Sequence, residues 1–306
     1  MNKIYMKTVF SLLTLFTYAS NKALGSESTS SEIMLSNALK NPVIYDPDEI
    51  YEKNKNRYLP DPGDENHAEE IMDEARTLFL QFVENESDFK IHGTYDDNTS
   101  IYFMKYDDKY VGKIRTKIQC PHTYNEIVKI LWDPNGEKEY NDDFISGKVG
   151  CAYNPNLLMI QQRYKNGIME RHDYLYAFAS KYKVSNNTTM IVKASANIID
   201  HNRNKKKNEN LLIKSANSFK FEIDHDEDII TGHLNNVFVD LSGYIITKNN
   251  EYVEIIHIDS FHDNYLTASK QNTLARRLKR LGAIADLKYY IYEKYTDWSK
   301  AGPANI

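Results

Sequence analysis

The sequence predicts an α+β fold, a curved antiparallel sheet closed by a long C-terminal helix. Three observations predict it. A helical repeat of apolar residues opens a domain near residue 65, turn-bounded strand segments fill its middle, and one uninterrupted helical stripe ends it.

Taken in order, residues 1–25 carry Lys3 and Lys7, an apolar run from Val9 to about Ala19, and Ala23-Leu24-Gly25 at the expected cut. That is the pattern of a secretory signal peptide, and the run is short for a retained membrane anchor. Residues 26–64 read as a leader or linker ending in Tyr58-Leu59-Pro60-Asp61-Pro62-Gly63-Asp64, with Ile44 to Ile50 apolar enough to pack on the domain. From Glu65, the residues Ala68, Ile71, Ala75, Leu78, Phe79 and Phe82 recur at helical spacing. Three strands are expected next. Within IYFMKYDDKYVGKIRTKI a Tyr-Asp-Asp-Lys turn separates two runs, and Ile114, Thr116 and Ile118 alternate with Lys113, Arg115 and Lys117. PHTYNEIVKILW is a helix that Pro121 starts, and it stops where Asp133 precedes Pro134.

Beyond Ile145 the chain reads as six strands: NPNLLMIQQRYKN, HDYLYAFASKYKV, TMIVKASANI, LLIKSANSFKFEI, NVFVDLSGYIIT and EYVEIIHIDSF, with HNRNKKKNEN a polar loop among them. The last helix carries Leu274, Leu278, Leu281, Ile284, Leu287, Ile291 and Tyr295 on one stripe. Consecutive hairpins imply helices segregated to one side of the sheet, with a space between sheet and closing helix that is either core or pocket. The domain is placed at 65–300, with 301–306 as a tail.

At 306 residues, 41% hydrophobic and 12% aromatic, the chain has material for one sizeable core. A formal net charge of -5 supplies no domain-wide basic field, so nucleic acid is not an expected partner. Cys120 and Cys151 either pair or sit buried as small hydrophobes.

The search for catalytic chemistry is negative. The chain has no nucleophile elbow, no phosphate-cradling glycine loop, no zinc-protease helix and no dinucleotide fingerprint. His257, Asp259, His262 and Asp263 fit a metal-ligand set, but polar residues at a strand end are the commoner reading. His172-Asp173 lacks a nucleophile to serve. No cofactor and no enzyme activity are expected.

Binding chemistry is better represented. Tyr174, Tyr176 and Phe178 alternate along one strand face, which is either core or the wall of a pocket offering hydroxyls and ring faces to a polar head. Strand parity adds Arg163 and Asp240 as pocket candidates. Arg276, Arg277, Lys279 and Arg280 open the last helix, either as a solvated face or as a contact for anionic lipid headgroups. Gly282, midway along that helix, is a candidate weak point for a gate.

Strand order and motifs together resemble a START domain over about residues 65–298. In HDYLYAFASKYKV, Asp173 matches the Arg-Asp pair that begins the corresponding START strand, and His172 replaces its arginine. Tyr140-Asn141 stands where that family commonly has Trp-Asp. LWDPNG, Gly147-Lys148-Val149, YNPNLLMIQQRYKNG, HDYLYAFASKYKVSNN and LSGYIIT…YVEIIHIDSFHDN are similar to a nearer group, the secreted fam-a proteins of rodent malaria parasites. Arg57-Tyr58-Leu59-Pro60-Asp61 fits the short export pattern of such parasites.

The resemblance implies a helix-grip carrier of one phospholipid, with phosphatidylcholine the leading cargo. It also implies a monomer touching membranes transiently, released to the parasitophorous vacuole or host erythrocyte. The alternatives are a START-like surface or antigenic protein without transfer activity and, less favoured, an enzyme on a related helix-grip fold. On this reading WDPNG is a corner of the grip, with Trp132 packing and Pro134 and Gly136 shaping the turn.

Overall fold

The computed structural model describes residues 49–56, 62–107, 109–166, 171–204, 208–223, 226–262 and 270–296. The expected signal peptide, the leader up to residue 48, the Arg57–Asp61 pattern, Asp263 and the tail from 301 lie outside the described residues. Two helices come first, α1 (Glu49–Asn54) and α2 (Pro62–Glu84). Ile50 and Tyr51 of α1 pack against the main apolar cluster, within the stretch read from sequence as linker. The second helix starts three residues before the expected Glu65, at a proline whose missing N–H costs nothing in a first turn.

Nine strands hydrogen-bond in one path: β1 (Lys90–Asp96), β2 (Thr99–Tyr106), β3 (Lys109–Ile118), β4 (Phe144–Asn154), β5 (Leu157–Tyr164), β6 (Asp173–Ser185), β7 (Thr188–Ala194), β11 (Phe238–Lys248) and β12 (Val253–His262). The smaller strands are β8 (Asn197–Ile199), β9 (Lys220–Glu222) and β10 (Asn235–Asn236). The spatial order is β1-β2-β3-β12-β11-β7-β6-β5-β4, so the strand before α3 (Tyr124–Trp132) pairs with the last strand of the chain. All eight pairings along that path are antiparallel. A four-residue helix, α4 (Glu227–Ile230), precedes β10, which adds in parallel to β6, and α5 (Lys270–Tyr295) ends the fold.

Neighbouring residues on one strand define the two faces. Gly243 faces outward, where a Cβ would lie 2.9 Å from Phe79 of α2, while Tyr244 joins the cluster facing α3 and α5. Inward go Ile114, Ile118, Leu175, Ala177, Ala179, Ile246 and Ile255, packed with Ile127 and Leu131 of α3 and Leu281, Ile284, Leu287 and Ile291 of α5. On the outer face Met72, Phe79 and Phe82 of α2 are buried. Helices therefore cover both faces, not one.

The segment read as the strand LLIKSANSFKFEI is the other correction. It makes a 3-10 turn at Ser215–Asn217, and only Lys220–Glu222 is extended, pairing in parallel with β8 in a separate ribbon. Asn210 sets this course. Its Oδ1 accepts the N–H of Leu212 and of Ile213, and its Nδ2 donates to the carbonyls of Ser195 and Asp240.

The WDPNG corner is as expected. Asp133 takes extended angles (φ −65, ψ 121), which ends α3, and its Oδ1 accepts the Asn135 N–H at 2.8 Å. A Cβ on Gly136 would lie 1.9 Å from the Ile130 carbonyl oxygen, and one on Gly147 would lie 1.8 Å from that of Pro134. Cys120 and Cys151 are buried free thiols. Among the described residues no helix is long and apolar enough to cross a membrane.

Candidate functional site

A cavity of about 200 Å³ lies between the inner face of the sheet, the loop that runs from Glu137 to Asp143, and the first half of α5. Its floor comes from adjacent strands in register. Lys193 of β7 pairs with Ser242 of β11, and Ser242 and Tyr244 of β11 pair with Asp259 and His257 of β12. Gln162 and Tyr164 of β5 and Leu175 of β6 continue the floor, and Ala283 and Ile284 of α5 close it above.

Lys193 is the centre of its electrostatics. Its residue is only 9% exposed, and its Nζ donates to Gln162 Oε1 at 3.4 Å. Gln162 is itself fixed by donating to the Pro134 carbonyl of the corner at 2.9 Å. Among the described residues no carboxylate lies within ion-pair distance of this ammonium. Burial lowers its pKa, with the charge of Glu137 opposing. Glu137 accepts hydrogen bonds from the Tyr164 hydroxyl (3.0 Å) and Asn141 Nδ2 (3.1 Å). Burial first, and then this carboxylate, push the phenols of Tyr140, Tyr164 and Tyr244 well above their ordinary range. Lys193, Glu137 and three neutral tyrosines thus share this part of the cavity.

His257 stacks on Tyr244, ring centroids 4.4 Å apart, and its Nδ1 lies 2.7 Å from the Gly243 carbonyl. A carbonyl only accepts, so Nδ1 carries the proton and the neutral ring leaves Nε2 as an acceptor. Burial lowers this pKa, although Asp259 and the Gly243 contact oppose it. Asp259 is engaged by Arg280 Nε at 3.2 Å, and Arg280 also lies over the Phe261 ring at 4.3 Å. These partners assign His257 and Asp259 to the cavity wall. Among the described residues no cluster fits a metal ion.

Of the sequence candidates, Arg276, Lys279 and Arg280 line this cavity. Lys279 pairs with Asp143 at 2.5 Å and so joins α5 to the loop opposite. Arg277 lies on the other flank of the helix, 5.5 Å over the Tyr110 ring. Gly282 is buried where a Cβ would lie 2.4 Å from the Tyr95 hydroxyl, so it makes room for that tyrosine.

The five proposed lipid contacts are on the opposite face. The Tyr174 hydroxyl donates to Asp200 (2.8 Å), and Gln161 Nε2 donates to the Tyr176 hydroxyl (2.6 Å). Phe178 packs edge-on against Phe219, centroids 5.0 Å apart. Arg163 forks onto Asp226 and Asp228, each at 2.6 Å, which ties α4 to the sheet. Asp240 accepts the Leu211 N–H and faces Lys109 at 3.5 Å. Alternation identified the faces correctly, but the aromatic one packs against the 195–236 segment. The cavity side of β6 is Asp173, Leu175 and the small residues Ala177 and Ala179.

The sequence reading also passed over Glu137, Lys193 and Tyr244. Lys193 did leave a signal, as the lone charge in the otherwise apolar run TMIVKASA.

An antiparallel sheet gripped by a long C-terminal helix over an internal cavity defines a START-like fold. Solved structures of that fold match it. Human STARD10 aligns over 79% of this chain and 84% of its own, with a TM-score of 0.52 and 12% identity. Human StAR-related lipid transfer protein 5 aligns over 76% of this chain and 100% of its own, with a TM-score of 0.58 and 9% identity. Identities this low establish the fold and leave the ligand to be argued from the site. No protein-family model matches the sequence, and no curated protein matches it significantly.

Proposed function

We propose that this protein is a secreted carrier that binds one phospholipid, with phosphatidylcholine the favoured cargo, and moves it between membranes. The observation that carries the reading is the buried Lys193 ammonium, which faces the cavity of a START-like fold without a carboxylate beside it. A phosphate supplies the missing charge. Glu137, with Tyr140, Tyr164 and Tyr244 around it, offers a carboxylate and ring faces to a quaternary ammonium. A zwitterionic headgroup satisfies both ends.

The need for a carrier is energetic. Two acyl chains in water cost on the order of 20 kcal/mol at ~0.8 kcal/mol per methylene. A volume of about 200 Å³ receives a headgroup, whereas drug-sized ligands already fill roughly 300–1,000 Å³. Loading of a diacyl lipid on this reading requires α5 to lift.

The charged, apolar, then small-residue order of residues 1–25 supports export. We place the chain beside the fam-a proteins of rodent malaria parasites, with the vacuole or host erythrocyte as its destination. The well-filled inner face also favours a second reading, a START-like surface or antigenic protein that carries nothing.

The test is lipid transfer between labelled vesicles, with mass spectrometry of lipid extracted from the purified protein. One co-purifying phospholipid class and protein-dependent transfer are expected. Lys193→Met is expected to lower transfer about 10- to 100-fold, the loss of one charged hydrogen bond of roughly 1.5–3 kcal/mol. A folded protein with no bound lipid and no transfer sinks the carrier reading and leaves the surface-protein reading.

A further inference from the structure

We propose that the flank of α5 bearing Leu274 and Arg277, together with Tyr95, Lys105 and Tyr110 of the first three strands, is the surface that docks onto an anionic phospholipid bilayer. This rests on the carrier reading, and it names the face by which cargo reaches the cavity.

The placement follows from contacts. Tyr95 reaches the helix backbone, its hydroxyl 3.5 Å from the Leu278 carbonyl, and Tyr110 lies under the Arg277 guanidinium. Leu274 is one helical turn before these residues on the same side. Lys105 is the cross-strand partner of Tyr110 and so points to the same face. Tyr95 and Tyr110 are each 50% exposed and Leu274 38%. Exposed tyrosines, an exposed leucine and cations on one face are the composition of an interfacial contact, with rings at the headgroup level and charges toward lipid phosphates.

The other flank of the same helix has the opposite character. There Tyr289, 58% exposed, sits in a surface groove with Glu139, Asp142, Asp143, Asp286 and Glu293, against only Lys138 and Lys279. Burial and the charges of Asp142 and Asp143 push the Asp286 carboxyl upward, so the groove is a negative field. An anionic bilayer is attracted to the Arg277–Lys105 side of α5 and repelled from the acidic groove, with Asp286, whose charge also reaches Tyr95, at the boundary. The cavity lies between them, with Arg276 and Arg280 at its lining.

The experiment measures partition of the full chain onto vesicles of phosphatidylcholine alone and of phosphatidylcholine with phosphatidylserine. Lys105→Gln is expected to weaken binding to the anionic vesicles about fivefold, from roughly 1 kcal/mol per cation near such a surface, and to leave neutral vesicles unaffected. Tyr110→Ser is expected to weaken both several-fold. Tyr289→Ser, at a comparably exposed tyrosine in the acidic groove of α5, is expected to change neither. Equal losses from Tyr110→Ser and Tyr289→Ser, or wild-type partition in Lys105→Gln, overturn the proposal.

Lipid loading from detergent micelles is measured on the same variants. Normal loading with weakened partition supports docking as a separate step. Absent loading in the wild type refutes the carrier reading, whatever the partition shows.

Discussion

Lys113 and Lys193 are both buried cations of the sheet, held in different ways on opposite faces. The Lys113 ammonium donates to the carbonyls of Val83 and Asn85 at the end of α2 and lies 4.1 Å over the Phe89 ring. Burial lowers its pKa from 10.5 to about 8. Below pH 8 native and unfolded chains both carry this proton. Between about 8 and 10.5 the native chain releases it first, so the unfolded state holds more protons and stability rises with pH across that window. The unfolding free energy of wild type minus that of Lys113→Met is therefore expected to climb from pH 8 to 10.5, in denaturant titrations. A flat difference refutes the assignment, and the tyrosines that titrate above pH 10 are common to both proteins. Lys193 is buried with only the side-chain carbonyl of Gln162 as partner and no backbone carbonyl, which is the basis of the proposed ligand site. Single residues also show where sequence reading stopped. Tyr174, Tyr176 and Phe178 announced a face by their period of two, but both faces of this sheet are covered, so periodicity alone could not say which one held the cavity.

At the scale of elements, the helix-to-sheet corner is the part most clearly written in the sequence. Asp-Pro ends α3, and two glycines let β4 and a 3-10 turn approach backbone carbonyls closer than any side chain permits. Gly147→Ala is expected to destabilise by about 3 kcal/mol, the upper part of the overpacking range, since backbone rather than a flexible side chain blocks the new methyl. Thermal unfolding checks it, and a loss under 1 kcal/mol would mean the corner yields easily. Because Pro134 orients Gln162 and Gln162 contacts Lys193, this corner also sets the cavity floor. Most strands of the main sheet were legible for the same local reasons, alternation and turn residues, but β4, with Gly147 and Gly150 interrupting its alternation, was not read as a strand. LLIKSANSFKFEI was misread because its apolar residues pack on the outer face from turns and 3-10 structure, and Asn210 satisfies backbone groups that a strand would have paired.

For the whole molecule, α5 is held over the cavity by Lys279–Asp143 and Arg280–Asp259. A reducible thiol-to-thiol cross-linker that spans the reach of the Lys279–Asp143 pair, attached to Asp143→Cys and Lys279→Cys, is expected to abolish vesicle transfer when joined and restore it with reductant, while the near-ultraviolet circular dichroism stays unchanged. Transfer through the cross-linked form would show that cargo enters without α5 moving. The buried native thiols leave the engineered pair as the accessible one. A different consequence follows from the central pairing of β3 with β12. Val253 follows Ile118 by 135 positions in a chain made N-terminus first. At about 5–20 residues per second the ribosome leaves β3 without its neighbour for roughly 7–27 s. During that interval the first three strands expose an unpaired edge, a natural client surface for a chaperone, until β12 pairs with β3 and completes the wall of the cavity.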